Sequence, residues 1–189
     1  ILTSFLSNTV QVWDPRDNTA VATYEGYAAP LNALRFQGDL VVAELGTGSV
    51  VRQDAGGTRS TIADSTTLPP PGLFVPSGLA AMGDDLWVAD WATGIIWKIV
   101  GDGAPRIVTG GLAAPEGMAV DADGSLLVVE SGAGRLSRVD PTTGAASTVA
   151  DGLAMDVSGP QALPPTFVMS SVAVDSSGNV YVGQAANRG

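Results

Sequence analysis

The sequence predicts an all-β fold, a β-propeller of four-stranded antiparallel blades. Three observations carry the prediction: a pattern that recurs four times along the chain, turn signals roughly every 8–12 residues, and no stretch with a convincing helical period. The recurring segments are "LNALRFQGDLVVAELGTGSVVRQD", "PSGLAAMGDDLWVADWATGIIWKIV", "PEGMAVDADGSLLVVESGAGRLSRVD" and "MSSVAVDSSGNVYVGQAANRG". Each reads as a short apolar strand, a turn with Asp or Gly, a second apolar strand, a polar residue and a Gly-rich turn. Anchored on the first apolar residue after the turn, they align at Leu40, Leu86, Leu126 and Val180, spaced by 46, 40 and 54 residues. Serial hairpins in a sandwich would not keep such a period.

Each unit continues into two further strands, as in "RLSRVD" and "ASTVAD" either side of "PTTG", where Pro presets φ and Gly permits positive φ. Naming the strands a to d, residues 1–28 supply b, c and d of one blade, because "DPRDNTA" matches "DPTTGAA". Three whole blades follow over about 29–75, 76–113 and 114–168, and residues 169–189 supply a and b of a further blade. Both ends carry strand b, so exchange between them does not close a ring. We therefore expect about four blades of a six-bladed ring; a compact four-bladed ring and completion by a partner chain are the alternatives. Open blade edges would invite self-association.

Composition narrows the function classes. Apolar residues make up 45% of the 189 residues and charged residues 15%, a globular balance. Nineteen acidic residues against nine basic ones give a net charge of −10, which argues against nucleic acid, since phosphate contacts need clustered Lys or Arg. No apolar run is long enough for a membrane-spanning helix, so no membrane insertion is expected. There is no Cys and no His, which removes thiolate metal sites, disulfides and any Ser–His–Asp triad from this sequence. The opening "ILTSFLSNTV" lacks a basic n-region and reads as a strand, so the chain looks like a segment of something longer.

Propeller topology puts the d–a and b–c connections on one face and the a–b and c–d turns on the other. Asp14, Asp39, Asp84, Asp85, Asp121, Asp123, Asp140 and Asp175 fall in or beside the latter turns, where capping explains them. On the first face, successive b strands end in Glu44, Asp90, Glu130 and Gln184, and successive a strands begin near Leu31, Ser77, Glu116 and Ser170. Strand a is innermost, so four carboxylates (Glu44, Asp90, Glu116 and Glu130) are expected on the channel face. Glu44, Asp90 and Glu130 recur in kind and fit hydrogen bonding to the following turn. Glu116 breaks its own repeat and is the stronger functional candidate. Trp91, after Asp90, is the aromatic expected to be exposed there; Trp13, Trp87 and Trp97 are expected to pack. Two enlarged d–a loops, 63–76 and 150–169, both contain Leu-Pro-Pro before an aromatic-valine pair, Phe74-Val75 and Phe167-Val168. They would form either a rim over the channel or padding between blades.

The segments "GMAVDADGSLLVVESGAGRLSRVD" and "SVAVDSSGNVYVGQAANRG" resemble NHL repeats and the gluconolactonase/regucalcin-like propellers. That family carries a Pro-Asp-Gly-Met segment whose Asp ligates a divalent metal, with Glu and Asn ligands at the starts of other a strands. Pro115-Glu116-Gly117-Met118 matches it with Glu for Asp; Pro76-Ser77-Gly78 matches the Asn position with Ser; Leu31 and Ser170 fill the rest, with Asn32 one residue displaced. The resemblance implies two functions. One is a binding or scaffold propeller of a bacterial periplasmic or secreted protein, taking a small molecule at the channel mouth through Glu44, Ser77, Asp90, Trp91, Glu130 and Ser170. The other is a lactonase-like hydrolase dependent on a divalent cation such as Ca²⁺, with Glu116 as metal ligand or general base.

Overall fold

The continuous apolar runs of the second strands, as in "LVVA", "LWVA" and "LLVV", dictate sheets buried on both faces, and that is what forms. The computed structural model describes residues 1–155 and 170–183; Phe167, Val168 and Gln184 lie outside them. The described residues contain no helix and five antiparallel sheets. The first sheet joins β1 (Leu2–Ser4), β2 (Thr9–Asp14) and β3 (Thr19–Tyr24). Three four-stranded sheets follow in simple meander order. They are β4 (Pro30–Phe36) to β7 (Arg59–Ala63), β8 (Pro76–Met82) to β11 (Arg106–Thr109), and β12 (Pro115–Val120) to β15 (Ala146–Ala150). The fifth pairs β16 (Ser171–Val174) with β17 (Val180–Gly183). The second strands of the whole blades are β5 (Asp39–Glu44), β9 (Asp85–Asp90) and β13 (Leu126–Glu130), and the third are β6 (Ser49–Gln53), β10 (Ile95–Val100) and β14 (Arg135–Val139).

Successive side chains on a strand face opposite neighbours, and the cores follow that rule. Leu40 and Val42 pack with Val10 and Tyr27 against the first sheet, while Val41 and Ala43 of the same strand pack with Leu79, Val88 and Trp97 against the third. In turn Trp87 and Ala89 face Leu126 and Val128 of the fourth sheet, and Leu127 and Val129 face Val172 of the fifth. Each middle blade is therefore a slab between two apolar layers. Trp87 and Trp97 are buried, at 1% and 0% exposure, whereas Trp13 is half-buried and donates its indole N–H to Gln11 Oε1 at 3.1 Å.

The enlarged loop after β7 pads rather than roofs. Its Leu68 and Leu73 are buried in the core between the second and third sheets, and Phe74 is half exposed. A further clamp joins the first two sheets. The Arg59 guanidinium lies 3.9 Å from the centre of the Tyr27 ring and donates to the carbonyls of Gly26 and Glu25 at 2.9 and 2.6 Å. Of the turn aspartates, Asp14, Asp123, Asp140 and Asp175 accept backbone amides one turn on. Asp39 and Asp85 instead meet side chains, pairing with Arg52 and Lys98 at 2.6 Å, and Asp84 accepts from Gln37 Nε2 at 2.9 Å.

Candidate functional site at the channel mouth

The innermost strands of the three four-stranded blades begin with a local irregularity. The β4–β5 register slips between Pro30 and Asn32, β8–β9 between Pro76 and Leu79, and β12–β13 between Pro115 and Met118. Such a bulge bends the strand and re-aims the extra residue. The residues held in these bulges are Leu31, Ser77-Gly78 and Glu116-Gly117, which are the positions aligned in the sequence. Close approach of adjacent inner strands is built in as well. A Cβ on Gly78 would sit 2.0 Å from the Glu116 carbonyl oxygen, and one on Gly117 would sit 2.7 Å from Ser171 Cα.

The bulges converge on one hollow of about 370 Å³. Its polar lining is Thr3, Asn32, Ser77, Glu116, Ser170 and Ser171, drawn from five successive blades; its apolar walls include Leu2, Phe5, Leu31 and Ala33. Glu116 is only 5% exposed. Its Oε2 accepts from the backbone N–H and the hydroxyl of Ser170, at 2.8 and 2.9 Å. The Ser77 hydroxyl lies 2.7 Å from the Pro115 carbonyl and 3.2 Å from that of Ala89, and Thr3 donates to the Leu31 carbonyl at 3.1 Å. Ser77, Glu116 and Ser170 are thus brought together; Asn32 and Thr3 join them. Thr3 carried no signal in the sequence, since it sits in a short strand with no first strand of its own blade ahead of it.

Glu44, Asp90 and Glu130 share that face but not that hollow. All three are buried and reach back to the loop that precedes the first strand of their own blade. Glu44 accepts from the Ala28 amide at 2.9 Å, Asp90 from Phe74 and Val75 at 3.0 and 3.2 Å, and Glu130 from Ala113 at 2.7 Å. Each acceptor lies at the last residue of a second strand, and each donor one or two residues before the Pro that opens the first, so one staple repeats in three blades. Glu130 is reinforced by both arms of Arg135, at 2.7 and 2.8 Å, and by Ser137. Burial works to raise the Glu130 pKa, but the Arg135, Ala113 and Ser137 donors outweigh it and the net shift is downward. Trp91 is half-buried, its backbone N–H donating to the Val75 carbonyl at 2.9 Å; the exposed aromatic on this face is Phe74.

A larger cleft of about 1090 Å³ opens on the opposite face, between the third and fourth sheets. There Lys98 is 5% exposed and held by Asp85 and Asp102, and Arg138 spans Asp121 and Asp123 at 2.6 and 2.7 Å. None of the residues expected at the site lines it. Among the described residues, no three carboxylates lie close enough together to hold a metal ion.

No protein-family profile matches the sequence, and no curated protein matches it. Solved structures do. Virginiamycin B lyase from Staphylococcus aureus superposes with a TM-score of 0.67 at 15% identity over 96% of this chain and 58% of its own. A gluconolactonase-like protein gives 0.70 at 19% identity, over 94% of this chain and 64% of its own. A chain of the nidogen–laminin complex gives 0.68 at 15%, over 94% and 66%. The chain spans less than two thirds of the length of each. At these identities the likeness is one of fold alone: the chain is folded as part of a β-propeller.

Proposed function

We propose that this propeller binds a small organic molecule at its channel mouth, in the hollow centred on Glu116. One observation carries the reading: five blades each deliver a polar residue (Thr3, Asn32, Ser77, Glu116 and Ser170) to a single cavity with apolar walls. Convergent polar groups in an otherwise apolar pocket are the general form of a small-molecule site. The three staple carboxylates belong to the scaffold in this reading.

The donor set argues for binding over metal-assisted hydrolysis. A hard cation such as Ca²⁺ takes 6–8 oxygens, several of them carboxylate. The cavity supplies one carboxylate, and its Oε2 already accepts two hydrogen bonds. These residues do not fit a resident divalent cation, and no reaction step is assigned to one. Nor does the likeness to virginiamycin B lyase carry its activity over: a structure of that enzyme with quinupristin was obtained with a catalytically inactive variant, a histidine replaced by alanine. Residues 1–189 contain no histidine.

A fragment screen by amide-detected NMR on the isotopically labelled chain tests the proposal. Binding fragments should shift the amides of Asn32, Ser77, Gly78, Glu116 and Ser171 together. Shifts confined to the opposite cleft around Lys98 and Arg138, or no cluster at all, would refute it.

A further inference from the structure

Three Asp-Gly pairs occur in the chain, Asp102-Gly103, Asp123-Gly124 and Asp151-Gly152, and there is no Asn-Gly. In such a pair the glycine has no Cβ to keep its nitrogen from the aspartate carboxyl. Attack needs that nitrogen held close to Cγ. It also needs a carboxyl free to become the neutral acid, since a carboxylate is a poor electrophile. The fold meets these two needs differently at the three sites. The Asp102 carboxylate is held by the Lys98 ammonium, with the Arg106 guanidinium 3.6 Å away, and both favour its charged form. Asp123 accepts from the N–H and hydroxyl of Ser125, at 2.9 and 2.6 Å, and from Arg138 at 2.7 Å. These donors hold both carboxyls below the usual range, Lys98 chiefly at Asp102 and Ser125 chiefly at Asp123. The Gly124 N–H is also turned away, donating to the Asp121 carbonyl at 2.9 Å.

Asp151 stands apart. It follows β15, is exposed, and its Oδ1 accepts from the N–H of Gly152 itself, at 2.8 Å. The nitrogen that must attack already rests against the carboxyl it would attack. Among the described residues no other group donates to this carboxylate, and Arg135 acts on it only through its charge. Asp121 makes the same contact with the Ala122 N–H at 2.7 Å, but a Cβ follows there and Arg138 pairs with the carboxylate at 2.6 Å. We propose that Asp151-Gly152 is the chain's site of spontaneous aspartate isomerisation. The Gly152 nitrogen adds to Cγ of the neutral acid. Its proton and the carboxyl hydroxyl leave as water, and a five-membered succinimide closes. Water then reopens the ring. Breaking the bond from the nitrogen to Cγ restores aspartate. Breaking the bond from the nitrogen to the main-chain carbonyl carbon leaves isoaspartate, with the chain routed through the side-chain carboxyl and one methylene longer. Nothing is oxidised or reduced. The lengthened link comes just before Leu153, whose N–H donates to the Gly134 carbonyl at 2.7 Å and whose side chain packs beside Leu127 and Val129. Isomerisation therefore loosens the tie between the exit of the fourth sheet and the turn that joins β13 to β14.

Warm incubation of the full chain in mildly acidic buffer, sampled over weeks and read by peptide mapping with electron-transfer fragmentation, tests the proposal. Isoaspartate should accumulate at position 151 roughly tenfold or more faster than at 102 or 123, preceded by a species lighter by one water. Asp151→Glu should abolish the change there, because the ring would be one atom larger, and leave the other two sites as they were. In concentrated urea, where the ion pairs and turn contacts are gone, the three sites should react at similar rates. Equal or faster isomerisation at Asp102 or Asp123 in the folded chain overturns the proposal, as does the absence of isoaspartate at 151. The same ranking in urea as in buffer also overturns it, because sequence rather than fold would then set the order.

Discussion

A carboxylate with no exposure must have its charge answered by donors, and Glu130 is answered on every side: both arms of Arg135, the Ser137 hydroxyl and the Ala113 amide. Replacing it removes a charge and strands several donors at once. Glu130→Ala should lower the unfolding free energy by about 2–4 kcal/mol in urea denaturation, somewhat under the cost of breaking a fully buried ion pair because the Arg135 side chain is 35% exposed. A loss under about 0.5 kcal/mol would mean that the network is ornamental. Glu116 has a different setting. It lies in a first strand, bonds across to Ser170 just ahead of the next first strand, and lines a cavity. The sequence already separates the two, because Glu130 has counterparts in Glu44 and Asp90 whereas Glu116 aligns with Leu31, Ser77 and Ser170. It does not reveal that the three staples aim backward to the preceding loop. That depends on donors 15 to 17 residues away, placed by the closing of each blade.

At the scale of the strand, the first strands β4, β8 and β12 carry the site because each is kinked where it begins. Glycine after the site residue is what lets them crowd together. Gly78→Ala would drive a methyl to 2.0 Å from the Glu116 carbonyl, a backbone atom that cannot swing aside. The expected outcome is a loss of about 2 kcal/mol or more, with a lower melting temperature. Gly83→Ala is the control: nothing lies near its Cβ, so only the cost of its positive φ (+59°) remains, about 1 kcal/mol. Similar losses for the two would show that the close packing of β8 on β12 is not what Gly78 serves. Strand existence and order are legible in the sequence, since Leu40, Leu86, Leu126 and Val180 all fall at the start of second strands. The bulges are not, because register is a relation between two strands and neither reports it alone. The loop 63–76 left two roles open; burial of Leu68 and Leu73 decides for packing.

At the scale of the whole molecule, acidity sets the pH response. Asp175 is held down to about 2 by Asn179, with the Ser177 amide and Tyr181 assisting. Asp64, Asp102, Asp123 and Asp140 are also lowered, chiefly by Thr66, Lys98, Ser125 and the Thr142 amide respectively, and Glu130 is lowered by its network. A lowered folded-state pKa means that the unfolded chain takes up protons first. The stabilisation is complete above the ordinary carboxylate value near 3.8 and fades as pH falls toward about 2. Urea midpoints should therefore be flat from pH 7 to roughly 5 and drop steeply below roughly 4; a flat profile down to pH 2.5 would contradict these assignments. Lys98 behaves oppositely. Burial pushes its pKa down, but Asp102 and Asp85 outweigh that and raise it, so its contribution is lost only at strongly alkaline pH.

The bulge that opens β4, β8 and β12 has a consequence for how such a protein changes over time. Three successive blades present the same socket, and the fold keeps it whether it holds leucine, serine or glutamate. Most of what joins these blades lies in the apolar layers behind the socket. A codon change at one socket therefore alters the chemistry of the hollow while the architecture around it persists, so new surface chemistry can be sampled without first solving the folding problem again.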